Sequence, residues 1–348
     1  MIYFQNDYSE GCHPKVMEKL LLTNGEQTPG YGADDYCRRA AEVIRRLCNN
    51  DDLSVHFLVG GTQTNLTVID AALRPYQGVL GPVSAHINVH ETGAVEATGH
   101  KVLSVPSDDG KITAQQVQTV VEQHWNDDSF EHMVQPKMVY ISNPTEYGTL
   151  YTLREMEALS AVCRKNGLYL FMDGARLGYG LAAQGNDVTL ADIARLCDVF
   201  YIGGTKVGAL FGEAVVIPNP TLAQDFRYLI KQHGGMLAKG RLLGIQFLAL
   251  LENGLYFEIA AEAIRLADQL RGTLKALGYP FLVESNTNQL FPVMPDAVLD
   301  KLAEEFMFTE MGRVDSTHRA VRFCTSWAST QENMDILCKK LSCLSREQ

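Results

Sequence analysis

The sequence lacks the features that mark several large classes of protein. Acidic side chains outnumber basic ones by 41 to 30, and the net charge of −11 disfavours nucleic acid and anionic membranes as partners. No apolar run reaches the length that crosses a bilayer. The N-terminus turns polar after Phe4, without the charged-then-apolar plan of a signal peptide, so we expect a cytoplasmic protein.

Paired cysteines and nucleotide-binding motifs are also missing. The eight cysteines are scattered without a Cys-x-x-Cys pair, a pattern typical of reduced, buried thiols rather than of a disulfide framework. The chain contains neither Gly-x-Gly-x-x-Gly nor the Gly-Lys-Ser/Thr ending of a Walker A loop. These absences argue against a dinucleotide enzyme and against an ATPase.

Two short motifs at the ends of strand-like apolar runs indicate the chemistry. The run Leu168–Met172 ends in Asp-Gly-Ala-Arg, and the run Val199–Ile202 opens into Gly-Gly-Thr-Lys. An enzyme that uses pyridoxal phosphate (PLP) needs a lysine to hold the aldehyde and an acid to keep the pyridine nitrogen protonated. Asp173 and Lys206 fit these roles, and their separation allows one helical crossover between neighbouring parallel strands.

A glycine-rich segment provides a site for an anion. Val59-Gly60-Gly61-Thr62-Gln63-Thr64-Asn65 follows the strand-like His56–Val59 and precedes a helical pattern that starts at Leu66. Free N–H groups and the positive end of the helix dipole favour an anion there, and the segment suits one phosphate monoester such as that of PLP. The alternative is a glycine-rich turn in which Thr62 serves as the helix N-cap.

Alternation of strand and helix patterns predicts a doubly wound α/β fold. Strands are expected at Val55–Val59, Val83–Ile87, Lys101–Val105, Lys137–Ser142, Leu168–Met172, Val199–Ile202 and Ala214–Ile217. Helices are expected at Asp34–Cys48, Leu66–Leu73, Ala114–His124, Leu153–Asn166 and Leu190–Leu196. This order implies a mostly parallel sheet that is covered by helices on both faces.

After Pro220 the pattern changes, and we expect a smaller α+β domain. Long helices are predicted at Leu222–Gln232, Gly240–Glu252 and Tyr256–Leu277. Short strands at Phe281–Val283, Leu290–Val293 and Val321–Thr325 and helices at Pro295–Phe306 and Gln331–Leu344 follow. We therefore place a large PLP-binding domain at residues 1–249 and a small C-terminal domain at residues 250–348.

Six segments in order resemble the threonine aldolase family of fold-type-I PLP enzymes: GGTQTN, AHINVHETGA, NPTEYGTLYTLREMEAL, MDGAR, IGGTKVGALFGEAVV and VRFCTSWAS. The resemblance covers essentially the whole chain and is closest to the bacterial low-specificity threonine or phenylserine aldolase branch. It implies a PLP-dependent lyase that cleaves β-hydroxy-α-amino acids of the threonine, allo-threonine or phenylserine type. Its retro-aldol reaction would release glycine and an aldehyde.

The resemblance also implies how the cofactor is held. His86 matches the histidine whose ring stacks on the pyridine, and Arg176 matches an arginine that contacts the phenolic oxygen or the substrate carboxylate. Arg241 matches an arginine that reaches the phosphate of a neighbouring subunit, and Tyr31 is a second candidate for crossing that interface. A homo-oligomer, dimer or tetramer, is therefore expected. The full cofactor set is Gly60, Gly61, Thr62, His86, Asp173, Arg176, Thr205, Lys206 and Arg241.

Substrate handling is expected to involve residues from both ends of the chain. Arg322 matches the arginine that clamps the α-carboxylate, for which a guanidinium fork is suited. Asn6 stands where the family has a serine, and Glu146 stands where better-known members have a histidine. The base for the β-hydroxyl is left open between Glu146, His90 and a water molecule. A bracing role for Glu146 in its loop is the alternative to catalysis.

Other functions remain to be separated from the aldolase. His86 and His90 have the zinc-like spacing His-x-x-x-His, and Glu91 follows them directly. A third ligand with good spacing is missing, so no metal is expected. The same scaffold supports β-elimination, which would yield pyruvate and ammonia, or racemisation. A non-catalytic binding protein is disfavoured because Lys206, Asp173, His86 and the glycine-rich segment are all present.

Overall fold

The computed structural model describes residues 1–346. This part of the chain contains thirteen strands and fifteen α-helices, joined by turns and loops. The strands are β1 (Ile2–Tyr3), β2 (Ser54–Leu58), β3 (Gln77–Pro82), β4 (Lys101–Val105), β5 (Gln135–Ser142), β6 (Tyr169–Asp173), β7 (Val199–Gly203), β8 (Glu213–Ile217), β9 (Gln289–Leu290), β10 (Val293–Pro295), β11 (Phe306–Met307), β12 (Thr309–Arg313) and β13 (His318–Cys324). The helices are α1 (Pro14–Thr23), α2 (Asp35–Leu47), α3 (Gly61–Ala72), α4 (His86–Val89), α5 (Ala94–Ala97), α6 (Ala114–Trp125), α7 (Leu153–Lys165), α8 (Leu177–Ala182), α9 (Leu190–Leu196), α10 (Pro220–Ala223), α11 (Phe226–Gln232), α12 (Arg241–Leu251), α13 (Leu255–Ala276), α14 (Asp296–Leu302) and α15 (Gln331–Leu344).

The central sheet has seven strands in the order β2-β8-β7-β6-β5-β3-β4. Strands β3 to β7 pair in parallel, while β8 is antiparallel to both β7 and β2. The predicted mostly parallel α/β sheet is therefore confirmed. Because β5, β6 and β7 are parallel neighbours, their carboxyl ends meet at one edge, and Ser142 lies opposite Asp173 there.

Both faces of this sheet are buried, as the sequence predicts. In β6, Leu170 and Met172 belong to one apolar core and Phe171 to the other. In β7, Phe200 and Ile202 likewise alternate with Val199 and Tyr201. Strands that are buried on both faces appear in sequence as continuous apolar runs, which is why these two were located correctly.

The C-terminal strands and helices form a second layer, which packs around a third apolar core. Its antiparallel sheet has the order β10-β13-β12, and β9 also pairs with β13. Helix α13 joins the layers, because Ala260 and Ile264 enter the first core while Leu266 and Leu270 enter the third. Strand β1 pairs in parallel with β11, so the N-terminus is part of the C-terminal layer. The boundary near residue 250 stays a prediction.

The predicted strand Val83–Ile87 is wrong. The strand is β3 (Gln77–Pro82), and His86 begins the short helix α4 instead. The segment reads Gln-Gly-Val-Leu-Gly-Pro, whose glycines and proline lower its strand propensity. Packing requires one of these glycines, because a Cβ on Gly78 would lie 2.8 Å from both the Lys101 carbonyl oxygen and the Val134 side chain.

Other differences arise where pairing or backbone geometry outweighs periodicity. Helix α3 begins at Gly61 rather than near Leu66, and Gly60 is its N-cap, so the alternative of a Thr62 cap is wrong. The predicted helix Leu222–Gln232 is split into α10 and α11 next to Asp225, which has a φ of 59°. Strands β1, β11 and β12 were not predicted, and Phe281 forms only an isolated bridge.

Within residues 1–346, no single helix combines the length and apolar composition needed to cross a bilayer. Helices α12 and α13 meet that test only as a pair, and they are bent by 65° relative to each other.

Two glycines allow the ends of β6 and β7 to touch backbone to backbone. The Gly203 N–H donates a hydrogen bond to the Gly174 carbonyl oxygen over 3.0 Å. A Cβ on Gly174 would lie 1.8 Å from the Tyr201 carbonyl oxygen, and one on Gly203 would lie 2.4 Å from the Ala175 carbonyl oxygen. Any side chain at either position would separate the two motifs predicted to hold the cofactor.

We expect Gly174→Ala to lower the free energy of unfolding by about 3 kcal/mol or more, because the backbone must move to admit the methyl group. The matched control is Gly272→Ala on the exposed face of α13, where an added Cβ meets nothing within 4 Å. The control should stabilise the protein by up to about 1 kcal/mol. Urea unfolding measures both, and a Gly174→Ala variant as stable as the parent would contradict this account.

Candidate active site

A cavity of about 860 Å³ opens at the carboxyl ends of the central strands. It brings together ten of the thirteen predicted site residues: Gly60, Gly61, Thr62, His86, Glu146, Asp173, Arg176, Thr205, Lys206 and Arg322. It also contains His90, the weaker candidate for the base. A sheet edge, the start of α3 and the second layer thus supply one common site.

Asp173 ends strand β6 and accepts hydrogen bonds from several donors. Its Oδ2 accepts hydrogen bonds from the Tyr140 hydroxyl at 2.5 Å and from Asn65 Nδ2 at 3.2 Å. Its Oδ1 accepts from the Ala175 N–H at 2.9 Å. With only 5% of the residue exposed, the carboxylate is fixed in one orientation at the cavity wall.

The same Asn65 connects Asp173 to His86. Asn65 Nδ2 donates to Glu91 Oε1 over 2.7 Å, and this oxygen also lies 2.7 Å from His86 Nδ1. Because a carboxylate only accepts, the network assigns a proton to Nδ1 of His86. Glu91 therefore orients the ring. From the sequence, Glu91 is a candidate only for a metal ligand, and Asn65 has no predicted role of its own.

Lys206 follows β7, and its Nζ lies 6.0 Å from the centre of the Tyr8 ring. Burial lowers the pKa of Lys206, and the positive charge of Arg176 adds to this effect. The carboxylates of Asp7, Asp173 and Glu213 oppose the shift without reversing it. A lowered pKa increases the fraction of neutral amine, the form that attacks a carbonyl carbon.

Glu213 is a buried carboxylate that the sequence analysis missed. It begins β8, lies opposite Gly203 across the β7–β8 pair and also lines the cavity. Its two oxygens accept hydrogen bonds from Thr205 Oγ1 at 2.9 Å and from the Gly204 N–H at 3.1 Å. Burial raises the pKa of Glu213. A charged residue directly before a fully apolar strand was the available signal.

Arg176 forms a bidentate ion pair with Asp7. Arg176 Nε lies 2.7 Å from Asp7 Oδ2, and its Nη2 lies 3.0 Å from Oδ1. Asn288 Nδ2 also donates to Oδ2, at 2.9 Å. Burial opposes ionisation of Asp7, but the charges of Arg176 and Lys206 hold its pKa below the usual value. Asp7 was not predicted, although it directly follows the predicted Asn6.

Arg322 reaches the cavity from strand β13. Within residues 1–346, its hydrogen-bond acceptors are neutral oxygens: Gln5 O at 3.2 Å, Thr309 Oγ1 at 3.4 Å and Gln289 Oε1 at 3.4 Å. Its Nε is buried and has no partner among these residues. The guanidinium therefore keeps donors available for an anionic ligand in the cavity.

Glu146 lines the cavity beside the first residue of helix α4, His86. Its Oε1 accepts from Ser142 Oγ at 2.7 Å and from the His86 N–H at 3.1 Å. Its Oε2 is buried and has no partner within residues 1–346. Burial raises the pKa of Glu146, and Asp173 adds to this shift. One oxygen thus anchors the side chain, while the other is buried without a partner among the described residues.

His90 lines the same cavity and lies next to His86. Its ring centre is 5.6 Å from that of His86. Burial lowers the pKa of His90, and the neighbouring His86 and Arg322 contribute further. Its imidazole is therefore also available as a neutral base.

The start of α3 fits a phosphate group. Gly60 caps the helix without a side-chain hydrogen bond, and a Cβ added to it would meet nothing within 4 Å. Gly60, Gly61 and Thr62 line the same cavity as Lys206 and Asp173. The first N–H groups of a helix bind anions. An amine, a buried acid and a phosphate site in one cavity are the set of groups that PLP requires.

Three predicted residues do not line this cavity within one subunit. Asn6 Oδ1 accepts from the Tyr8 N–H at 3.0 Å, and Arg241 donates to the Glu26 carbonyl oxygen at 2.8 Å. Tyr31 lines a separate cavity of about 240 Å³, and Lys231 Nζ lies 4.9 Å from the centre of its ring. Their proposed roles stay predictions.

Comparison with protein families identifies relatives for most of the chain. The model of the beta-eliminating lyase family matches residues 12–297. A low specificity L-threonine aldolase from Pseudomonas sp. (strain NCIMB 10558) is 30% identical over 93% of this chain and 92% of its own length. A low specificity L-threonine aldolase from Pseudomonas aeruginosa is 31% identical over 81% of this chain and 82% of its own length.

Solved structures share the fold. Threonine aldolase from Leishmania major is 45% identical and superimposes with a TM-score of 0.96, covering 99% of this chain and 100% of its own. An aspartate aminotransferase double mutant from Thermus thermophilus has a TM-score of 0.72 at 17% identity, covering 99% of this chain and 91% of its own. The latter likeness concerns the fold alone.

Proposed function

We propose, from the premise that the chain belongs to the beta-eliminating lyase family, that it is a PLP-dependent aldolase. It cleaves β-hydroxy-α-amino acids of the threonine, allo-threonine or phenylserine type to glycine and an aldehyde. The observation that carries this proposal is the single cavity that Lys206, Asp173, His86, Glu146 and Arg322 share. The names of the relatives support the same reaction class.

The residues that would hold PLP are distributed around the cavity by role. Lys206 provides the amine, Asp173 the acid for the pyridine nitrogen, and Gly60 to Thr62 the phosphate site. When bound, the cofactor supplies an electron sink for a carbanion at Cα of the substrate. Asp173 maintains this sink by holding a proton on the ring nitrogen.

Arg322 binds the α-carboxylate of the substrate. A guanidinium offers two parallel N–H donors to a carboxylate and therefore orients it as well as attracting it. Because the carboxylate is fixed, the orientation of the substrate in the cavity is fixed as well, and this orientation determines which bond at Cα breaks. Arg176 contributes positive charge, although its fork is already shared with Asp7.

Glu146 acts on the β-hydroxyl. Its carboxylate, which lines the cavity, takes the hydroxyl proton, directly or through one water, as the Cβ–O bond becomes the carbonyl of the aldehyde. The Cα–Cβ bond breaks in the same step and leaves its electron pair at Cα. One proton added at Cα, which balances the one that Glu146 took from the hydroxyl, then completes glycine. The raised pKa of Glu146 brings it closer to the operating pH, as efficient general bases require.

The assembly and the compartment are part of the proposal. We propose a homo-oligomer in which Tyr31 and Arg241 serve the active site of a neighbouring subunit, since neither reaches the cavity of its own chain. The exposed ring of Tyr31 agrees with such a contact. All eight cysteines are free thiols, which agrees with a reducing compartment such as the cytoplasm.

The proposed reaction is tested by product analysis. We expect the purified protein with added PLP to release glycine and an aldehyde in equal amounts from at least one β-hydroxy-α-amino acid of a panel. Lys206→Ala, which removes the amine, is the control and should release neither product. Pyruvate and ammonia without glycine would instead identify a β-eliminating enzyme, and a change of configuration alone would identify a racemase.

The role of Glu146 is tested by Glu146→Gln. The amide oxygen keeps the acceptor for Ser142 and for the His86 N–H, so the loop should retain its shape. We expect aldehyde release to fall by two to four powers of ten, the usual contribution of a general base. Exchange of the α-hydrogen of glycine with solvent deuterium, which needs no β-hydroxyl chemistry, should change by less than about threefold.

The control for Glu146→Gln is Glu157→Gln on helix α7, whose side chain is half exposed. It should leave both rates unchanged. Equal losses of the two rates in Glu146→Gln, or no loss of either, would show that Glu146 only braces its loop.

A further inference from the structure

Asn65 occupies an unusual position in the buried network behind the cavity. It lies in α3, is fully buried, and its single amide nitrogen donates to two carboxylates from different parts of the chain. The acceptors are Glu91 Oε1 at 2.7 Å and Asp173 Oδ2 at 3.2 Å. An amide nitrogen carries two N–H groups, so each carboxylate receives one of them.

The orientation of this amide follows from its partners. Both hydrogen-bond partners of Asn65 Nδ2 are carboxylate oxygens, which accept but do not donate. A flipped amide would therefore place the amide oxygen against the two carboxylate oxygens. Asn65 Oδ1 is buried without a partner in the described part of the chain. Leaving such a carbonyl unpaired is costly, and an apolar residue at the site would avoid that cost. An asparagine is nevertheless present, and both of its N–H groups donate to carboxylates.

We propose that Asn65 is a positioning residue that ties the His86–Glu91 pair to Asp173, so that the two groups expected to contact the cofactor ring are held as one unit. This inference rests on the proposed function. Asn65 acts through Glu91 and Asp173, because it separates two carboxylates that would otherwise face each other without a donor between them.

The consequences of losing the amide differ for the two carboxylates. Asp173 would keep the Tyr140 hydroxyl and the Ala175 N–H as donors. Glu91 Oε1 would keep only His86, and Glu91 Oε2 has no partner within residues 1–346. Without the amide, the two carboxylates face each other, so Glu91 and the His86 ring that it orients lose their fixed position relative to Asp173.

The test uses the PLP dissociation constant, measured from the visible absorption of the protein-bound cofactor. We expect Asn65→Leu to weaken PLP binding about ten- to a hundredfold, since hydrogen bonds to charged groups are lost. The matched control is Thr67→Val on the same helix. Thr67 is fully buried and its hydroxyl has no partner among the described residues, so this isosteric change should leave PLP binding within about twofold.

A double-mutant cycle separates positioning from packing. Glu91→Gln removes one of the two like charges and keeps an acceptor for His86. In that background, Asn65→Leu should weaken PLP binding by no more than about threefold, because no second carboxylate remains to be separated. If Asn65→Leu has the same effect in both backgrounds, Asn65 does not act through Glu91 and the inference is overturned.

Asn65→Asp covers the case in which Asn65→Leu fails to fold. It keeps the size of the side chain but replaces two donors with a third carboxylate, so PLP binding should weaken at least as much as in Asn65→Leu. Unchanged binding by Asn65→Asp would overturn the inference. If the parent protein itself does not bind PLP, or if Asp173→Asn behaves like the parent, the proposed function fails rather than the role of Asn65.

Discussion

The direct backbone contact between the ends of β6 and β7 is the constraint on which the site depends. Asp173 ends β6 and Lys206 lies in the turn after β7, and they share a cavity because Gly174 and Gly203 allow these two segments to touch. No side-chain interaction in the site could compensate for separating these segments. The glycines therefore serve catalysis by their lack of a side chain.

Around this contact, several buried charged groups have specific partners. Arg176 is matched by Asp7, and the carboxylates of Asp173 and Glu91 share the amide of Asn65. A buried ion pair of this kind adds little net stability but is costly to break from one side. Such pairs hold each functional group in a single geometry, which transition-state stabilisation requires.

Sequence reasoning located the groups that perform chemistry more readily than those that hold them. Asp173 and Lys206 follow continuous apolar runs, so their places at the sheet edge could be predicted. Asn65 and Glu91 could not be recognised as partners, because their contacts depend on how α3 packs against the loop after α4. Strand β3 was misplaced because close packing against a neighbouring strand, rather than periodicity, selects its glycines.

We propose that Lys206 carries the cofactor, and reductive trapping identifies the lysine that does so. Borohydride treatment of the PLP-loaded protein, followed by proteolysis and mass spectrometry, identifies the modified lysine. This account predicts one phosphopyridoxyl group per chain, on the peptide that contains Lys206. Modification of Lys231 or Lys239 in its place, or of several surface lysines in similar amounts, would contradict it.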